Sequence, residues 1–450
     1  MSDLRRLLDD GKPIFGTDGV RGAAGSDLTP ELALALGRAA GSYLDHGPVL
    51  VGRDTRRSGE MLSSALQAGF HAVGIDTVDV GVLPSGGISY LTAVSGATMG
   101  AVVSASHNPA EDNGIKLLGS RGTKLPDDIE RDLEARLRST GSRSSVGPAI
   151  GTRFVDTGAM DKYLGHLAEI SRYTLSGLPI ALDCANGAAY LAAPTLFERL
   201  KADFVTHFDS PDGGNINAGC GATHPETLAG LAGGRIGFCF DGDADRLITI
   251  DEDGKVANGD VIMAIVARHM KDQGTLANNV VVATVMSNLG LRKSMAEAGI
   301  DLIETKVGDR YVMEGLQEHN GVLGGEQSGH IIFLDKGQTG DGLLTAVRLL
   351  DVVAGTGKEL RQLRAESITE YPQILQNVRV ARGADLEAAE DLWEEVRAVE
   401  SELGDEGRVL VRASGTEPLI RIMVEATSQE TARHYADLLS RVTESSMREV

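Results

Sequence analysis

The chain is poor in several things that narrow its function. Only 4% of its 450 residues are aromatic and it has one Trp, so aliphatic side chains must build its cores. Its three cysteines, Cys184, Cys220 and Cys239, make no CxxC pair. An odd, sparse set fits a reducing compartment better than a disulfide framework. Positive charge is short: 43 Lys and Arg against 64 Asp and Glu give a net charge of −21. That argues against nucleic acid or an anionic membrane as the main partner. A small anion can still bind where basic residues are concentrated. Long apolar runs are also missing. "VIMAIVA" falls far short of the roughly 18 residues of a spanning helix. "MSDLRRLLDDGKP" lacks the apolar stretch of a signal peptide. The expectation is a soluble, cytoplasmic protein.

Glycine, by contrast, is plentiful at 56 residues, which suits many tight strand–helix turns. In "TPELALALGRAAGSYLDHG", Thr29 is the expected N-cap, Pro30 the first helical residue and Gly47 the stop. "PVLVG", "DTVDVG" and "ATMGAVV" read as strands, and "SGEMLSSALQAGFHAVG" and "SGGISYLTAV" as helices. Alternating strands and helices imply a parallel or mixed sheet covered on both faces. The rhythm recurs twice more, after a Gly/Ser-rich boundary at Arg138–Phe154 and after "DEDGKVANGD". A smaller fourth unit differs in order: a strand near "QNVRV", a helix over Ala384–Leu403, the strands "RVLVRAS" and "IRIMVEAT", and a last helix. Its hinge is expected near Tyr371–Pro372. The domains read as 1–152, 153–255, 256–370 and 371–450.

Each unit places one polar cluster after a strand, where open α/β sheets bind ligands. The first is "VVSASHNPAEDNGIK", Val102 to Lys116, read as one loop after an apolar run. No G-x-S-x-G elbow surrounds Ser104 or Ser106. His107 directly follows Ser106, and neighbours on an extended chain point apart, so a serine-hydrolase pair is not expected. A serine that exchanges phosphate needs a divalent cation, cationic donors and a proton shuttle instead. Lys116 and His107 are candidate shuttles. The second cluster, Asp241, Asp243 and Asp245 followed by Arg246, can converge from a loop on a hard cation. Glu252 stands where a calcium loop has its last ligand, but Arg246 occupies the position that needs glycine. The third, "GGEQSGH", offers Glu326, Ser328 and His330 for sugar hydroxyls or an amine, with Lys306 in "KVGDRYV" nearby in sequence. The fourth, "RASGTEPLIR", sets Ser414, Gly415 and Thr416 between Arg412 and Arg421, a pattern suited to phosphate. Near the start, "FGTDGVRG" puts Arg21 in a glycine-rich turn.

In this order, "FGTDGVRG", "SASHNP", "DGDADR", "GEQSGH" and "RASGTEP" resemble the α-D-phosphohexomutase superfamily over essentially the whole chain. "GEQSGH" directs the resemblance to the bacterial phosphoglucosamine mutases within it. The resemblance implies a heart-shaped, four-domain α/β protein, with three similar domains of mixed sheet and a smaller C-terminal α+β domain. It implies interconversion of glucosamine 6-phosphate and glucosamine 1-phosphate, with glucosamine 1,6-bisphosphate as intermediate and activator, on the route to UDP-N-acetylglucosamine and peptidoglycan. It makes Ser106 rather than Ser104 the phosphoserine. One Mg²⁺ is implied between that phosphate and Asp241, Asp243 and Asp245. Lys116, Arg21, His107 and His330 take proton transfer and charge balance. Arg246, Lys306, Glu326, Ser328, Arg412, Ser414, Gly415, Thr416 and Arg421 bind substrate. The implied partner is a small phosphosugar, with no nucleic acid or membrane, and relatives suggest a homodimer. The rival readings are a phosphomannomutase/phosphoglucomutase, a metal-dependent sugar-phosphate phosphatase and a non-catalytic sensor.

Overall fold

The structure is a computed structural model and describes residues 13–16, 18–139, 144–381, 385–414 and 418–447. It divides into two compact units, Met1–Met286 with Ile300–Ser367, and Ser287–Gly299 with Ile368–Val450. The larger unit holds three sheets.

The first sheet comprises β1 (Val20–Ala23), β2 (Val49–Arg53), β3 (Thr77–Val82), β4 (Met99–Val103), β5 (Asp112–Gly119) and β6 (Arg153–Val155), in the order β1-β5-β4-β2-β3-β6. β5 runs antiparallel to β4, so the sheet is mixed. Two expectations change here. The serine stretch is a loop only as far as Glu111, because Asp112 to Lys116 open β5. The expected boundary at 152 cuts close to β6, which pairs in parallel with β3 and extends the first sheet. The helix Pro30–Tyr43 starts as its sequence dictates: Thr29 caps it, accepting from Leu32 N at 3.2 Å. It ends at Tyr43, four residues before the expected Gly47. Its Gly37 lets it press onto the helix Arg57–Ala72, since a Cβ there would stand 2.1 Å from Leu66 O. Leu62, Leu66 and Phe70 recur every four residues on that second helix and are fully buried.

The second sheet orders β7 (Pro179–Asp183), β8 (Asp203–His207), β9 (Ile236–Phe240), β10 (Leu247–Ile250) and β11 (Val256–Ala257) as β11-β10-β9-β7-β8. "DEDGKVANGD" is therefore partly a hairpin that adds an edge strand, and its Asn258 caps the helix Gly259–Asp272. The third sheet orders β12 (Val280–Thr284), β13 (Asp301–Thr305), β14 (Leu323–Gly325) and β15 (Ile331–Phe333) as β13-β12-β14-β15. The "KVGDRYV" stretch runs into a helix, Asp309–Glu318.

The smaller unit is an antiparallel sheet of β16 (Gln373–Arg379), β17 (Arg408–Ala413) and β18 (Leu419–Glu425), in the order β16-β18-β17. The helices Glu390–Leu403 and Gln429–Ser446 share a core with it through Leu392, Val396, Ile420, Ile422 and Leu439. The first of these helices begins six residues after the expected Ala384, which lies outside the described residues. The helix Leu289–Glu297, read as part of the third repeat, belongs to this unit. Asn288 at its N-terminus donates to Glu425 at 3.0 Å, and Arg408 donates to the same carboxylate at 2.9 Å. All three cysteines are buried and free.

Candidate active site

The two serines of the first cluster have different work. Ser104 Oγ donates to Asp54 Oδ2 at 2.7 Å and accepts from Ser106 N at 2.9 Å, so it is spent on the backbone. Ser106 Oγ donates to Asp241 Oδ2 at 2.5 Å, joining the first cluster to the second. Ser106 has φ of +51°. A non-glycine residue there costs roughly 1–3 kcal/mol, held only where surrounding contacts over-determine it. The same geometry brings His107 Nδ1 to 3.4 Å from Ser106 Oγ. The expectation that these neighbours point apart fails because the chain is not extended at Ser106. Burial pushes the His107 imidazole down to about 4, helped by Arg246 and Arg21. It is therefore neutral at neutral pH and able to accept a proton.

Asp241, Asp243 and Asp245 follow β9 and are buried. Each offers one carboxylate oxygen to a group whose atoms lie within 4.8 Å of one another. Asp241 Oδ1 takes Arg246 N at 3.2 Å, and Asp243 Oδ2 takes Ser85 Oγ at 2.7 Å. Asp243 Oδ1 and Asp245 Oδ1 are buried with no hydrogen-bond partner among the described residues. Burial, then the neighbouring carboxylates, push Asp241 and Asp243 above the usual range. Burial has the same tendency at Asp245, but Lys116, His330 and Arg246 outweigh it and hold that carboxyl low. Crowded acids with orphaned oxygens and an all-oxygen donor set fit a hard divalent cation. Glu252 is elsewhere: it accepts from Leu360 N at 2.8 Å and Arg361 N at 2.9 Å, capping a helix. The calcium-loop pattern therefore has no twelfth-position ligand here.

Lys116, on β5, reaches the aspartates from the first sheet. Its Nζ lies 3.5 Å from Asp245, 3.8 Å from Asp243 and 3.1 Å from Asp18. Burial opposes its charge, yet Asp18, Asp243 and Asp245 together raise it above the ordinary lysine range. The ammonium stays charged and balances the neighbouring carboxylates. Arg21 pairs with the same Asp18, and Lys116 and Arg21 hold that carboxyl well below its usual range despite burial.

The third cluster is a hairpin tip, as its flanking β14 and β15 require. It sits against the second through a backbone bridge between Arg246 and His330. Arg246 Nε approaches Asp245 Oδ1 at 3.9 Å. His330 is buried, its Nδ1 lacks a hydrogen-bond partner among the described residues, and it lines a cleft of about 380 Å³ with Lys124, Asp309, Arg310 and Thr339. Glu326 Oε1 accepts from Gly308 N at 3.1 Å, which ties this hairpin to the "KVGDRYV" loop. Ser328 and Lys306 are exposed, and Lys306 Nζ lies 5.9 Å from the Tyr311 ring centroid.

In the smaller unit, Arg412 and Arg421 are direct cross-strand partners on β17 and β18. Like charges placed opposite each other repel. Burial and then Arg421 lower the Arg412 guanidinium below its ordinary range. Neither Nε has a hydrogen-bond partner among the described residues. Ser414 N donates to Leu419 O at 2.8 Å across the turn. Gly415 and Thr416 lie outside the described residues.

Residues that sequence reasoning missed supply the supports: Asp18 under Lys116 and Arg21, Ser85 on Asp243, and Asp54, Arg56 and Asn217 around Ser106. The four charged residues of "GRDTRR", at the end of β2 and beside the serine strand, are the signal that could have found two of them.

Comparison with known proteins follows the same division. Four phosphoglucomutase/phosphomannomutase profiles match: alpha/beta/alpha domain I over residues 12–144, domain II over 161–254, domain III over 258–371 and the C-terminal domain over 375–442. The phosphoglucosamine mutase of Desulforudis audaxviator is 48% identical over 438 residues, covering 95% of this chain and 97% of the relative. That of Listeria monocytogenes is 48% identical over 444 residues, covering 96% and 98%. Among solved structures, a phosphoglucomutase/phosphomannomutase family protein from Burkholderia thailandensis superposes with a TM-score of 0.81 at 28% identity, over 96% of this chain and 97% of that one.

Proposed function

The chain belongs to the phosphoglucomutase/phosphomannomutase family, and on that premise we propose that it interconverts glucosamine 6-phosphate and glucosamine 1-phosphate. The substrate comes from relatives 46–48% identical over nearly the whole chain that are phosphoglucosamine mutases. The observation that carries the chemistry is the 2.5 Å contact between Ser106 Oγ and Asp241, in a pocket that also holds two aspartates with orphaned oxygens and a charged lysine. A hydroxyl so placed suits a phosphoryl carrier.

In this reading Ser106 carries a phosphate and hands it to a sugar hydroxyl. The Oγ–P bond breaks and a sugar O–P bond forms; the sugar hydroxyl gives its proton to the protein, and the freed Ser106 Oγ takes one up from it. Glucosamine 1,6-bisphosphate turns by half a revolution without leaving, and its other phosphate returns to Ser106. Asp241, Asp243 and Asp245 hold one Mg²⁺, which when bound neutralises charge on the phosphoryl group. Arg246 adds positive charge to the same group. Lys116, with His107 and Arg21, serves proton transfer and charge balance on one side, and His330 is its counterpart. Glu326 and Ser328 hold sugar hydroxyls, and Lys306 assists binding. Arg412, Ser414, Gly415, Thr416 and Arg421 hold the phosphate that is not being transferred.

A phosphorus NMR time course tests this. With glucosamine 6-phosphate, Mg²⁺ and a trace of glucosamine 1,6-bisphosphate, glucosamine 1-phosphate should accumulate to equilibrium without inorganic phosphate. Inorganic phosphate released at the rate of turnover would make the protein a phosphatase instead. Faster turnover of glucose or mannose phosphates would place it with the other mutases.

A further inference from the structure

The phosphate carrier proposed above has an unusual anchorage. Arg56, on the segment after β2, is buried with its side chain fully covered. A guanidinium has five N–H donors in a fixed fork, and all five have acceptors. Nε donates to Asp54 Oδ2 at 2.9 Å. Nη1 donates to Asp112 O at 2.9 Å and to Pro109 O. Nη2 donates to Ser106 O at 3.0 Å and Asn108 O at 2.8 Å. Three carbonyls of the serine loop and that of Asp112, the first residue of β5, thus converge on one cation. Asp54 closes the circuit, since it also receives Ser104 Oγ, which in turn receives Ser106 N.

A second hand comes from the other side. Asn217, in the loop between β8 and β9, donates Nδ2 to the same Ser106 O at 2.9 Å and to Asn108 O at 3.0 Å. Its Oδ1 bonds to nothing among the described residues, so its side chain serves that loop alone. Asn217 has φ of +59°, a conformation glycine also accepts. Gly242 of the aspartate loop allows this closeness, because a Cβ there would sit 2.5 Å from Ser106 O.

We propose that Arg56 and Asn217 are positioning residues for phosphoryl transfer. Together they clamp the Ser106 carbonyl from two sides, which holds Ser106 in its left-handed conformation and its Oγ against Asp241. The proposal rests on Ser106 being the carrier. Its logic is that one serine must serve as donor and acceptor for two different ends of the sugar. The sugar turns between the two steps, so the serine must not move. Neither residue is assigned a contact with substrate, so removing either should lower kcat and spare KM.

Asn217→Gly keeps the backbone and deletes only the two donors. Its kcat for glucosamine 6-phosphate should fall about a hundredfold, the order expected of a small misplacement of reacting groups. KM should stay within about twofold of native, and the melting temperature should stay close to native. Arg56→Lys keeps the charge but cannot fork to five acceptors, and its kcat should fall further. Should Arg56→Lys not fold, Asn217→Gly decides alone. Native kcat in a folded Asn217→Gly protein would overturn the clamp, as would a rise in KM at native kcat. The native protein, labelled from radioactive glucosamine 1,6-bisphosphate and mapped by peptide, checks the premise separately. Label on a residue other than Ser106 would remove the carrier and the clamp with it.

Discussion

The aspartate loop after β9 and the arginine turn after β17 are opposite solutions to one electrostatic problem. Among the described residues, the first crowds three carboxylates into a buried pocket and leaves two of their oxygens without hydrogen bonds. The second faces two guanidinium groups across neighbouring strands and, among the same residues, leaves both Nε atoms unpartnered. Each arrangement costs stability by itself, because like charges repel and orphaned polar atoms lose their water. On the proposed function, each becomes favourable once an ion of opposite sign arrives, a cation at the first and a phosphate at the second. Lys116 lies at the first. It offsets the carboxylates while its ammonium remains available.

The contrast breaks hardest at Asp243. Asp243→Asn should cut turnover by about a hundredfold or more, the scale of losing one group that stabilises transferring charge. It should also erase the rise in melting temperature that Mg²⁺ gives the native protein. At a hundredfold excess over its dissociation constant, an ion bound only to the folded state contributes about 2.7 kcal/mol. Calorimetry in Mg²⁺ and in EDTA reads this directly. An undiminished Mg²⁺ response would mean that the three aspartates are not the cation site.

Arg421→Ala sharpens the other half. It should raise KM for glucosamine 6-phosphate about tenfold or more and change kcat less, because a grip on the non-reacting phosphate acts in ground and transition states alike. Steady-state kinetics at saturating Mg²⁺ measure it, and an unchanged KM would remove Arg421 from the phosphate site. The smallest effect lies in the same variant without ligand. Relief of the Arg412 repulsion should leave stability unchanged or raise it by a few tenths of a kcal/mol. A clear loss would show that the pair is held by something other than an awaited anion.

Local signals carried much of this architecture. Thr29 before Pro30, and Asn258 before a long apolar helix, announce their helices because capping chemistry lies within a few residues. The four clusters were legible for a similar reason, since each comes at the end of a short strand, fully buried in the first three. Long-range relations were not. β5 starts inside a polar stretch and earns its strand only by pairing with β1 and β4. β6 is a short exposed edge in a Gly/Ser-rich region. Asp18 could not be matched to Lys116, nor Arg56 and Asn217 to Ser106, because 50 to 111 residues separate the clamp from its target. Separations of 50 and 135 residues likewise hid the choice between Ser104 and Ser106. Only the fold shows Ser104 Oγ on Asp54 and Ser106 Oγ on Asp241.

The central claim is that Ser106 is a phosphate carrier, and intact mass with peptide mapping tests it most directly. The native protein, after exposure to glucosamine 1,6-bisphosphate and Mg²⁺, should gain one phosphate on Ser106. Ser106→Ala should gain none and should lose nearly all interconversion of glucosamine 6-phosphate and glucosamine 1-phosphate. A Ser106→Ala protein that turns over like the native one would contradict the account.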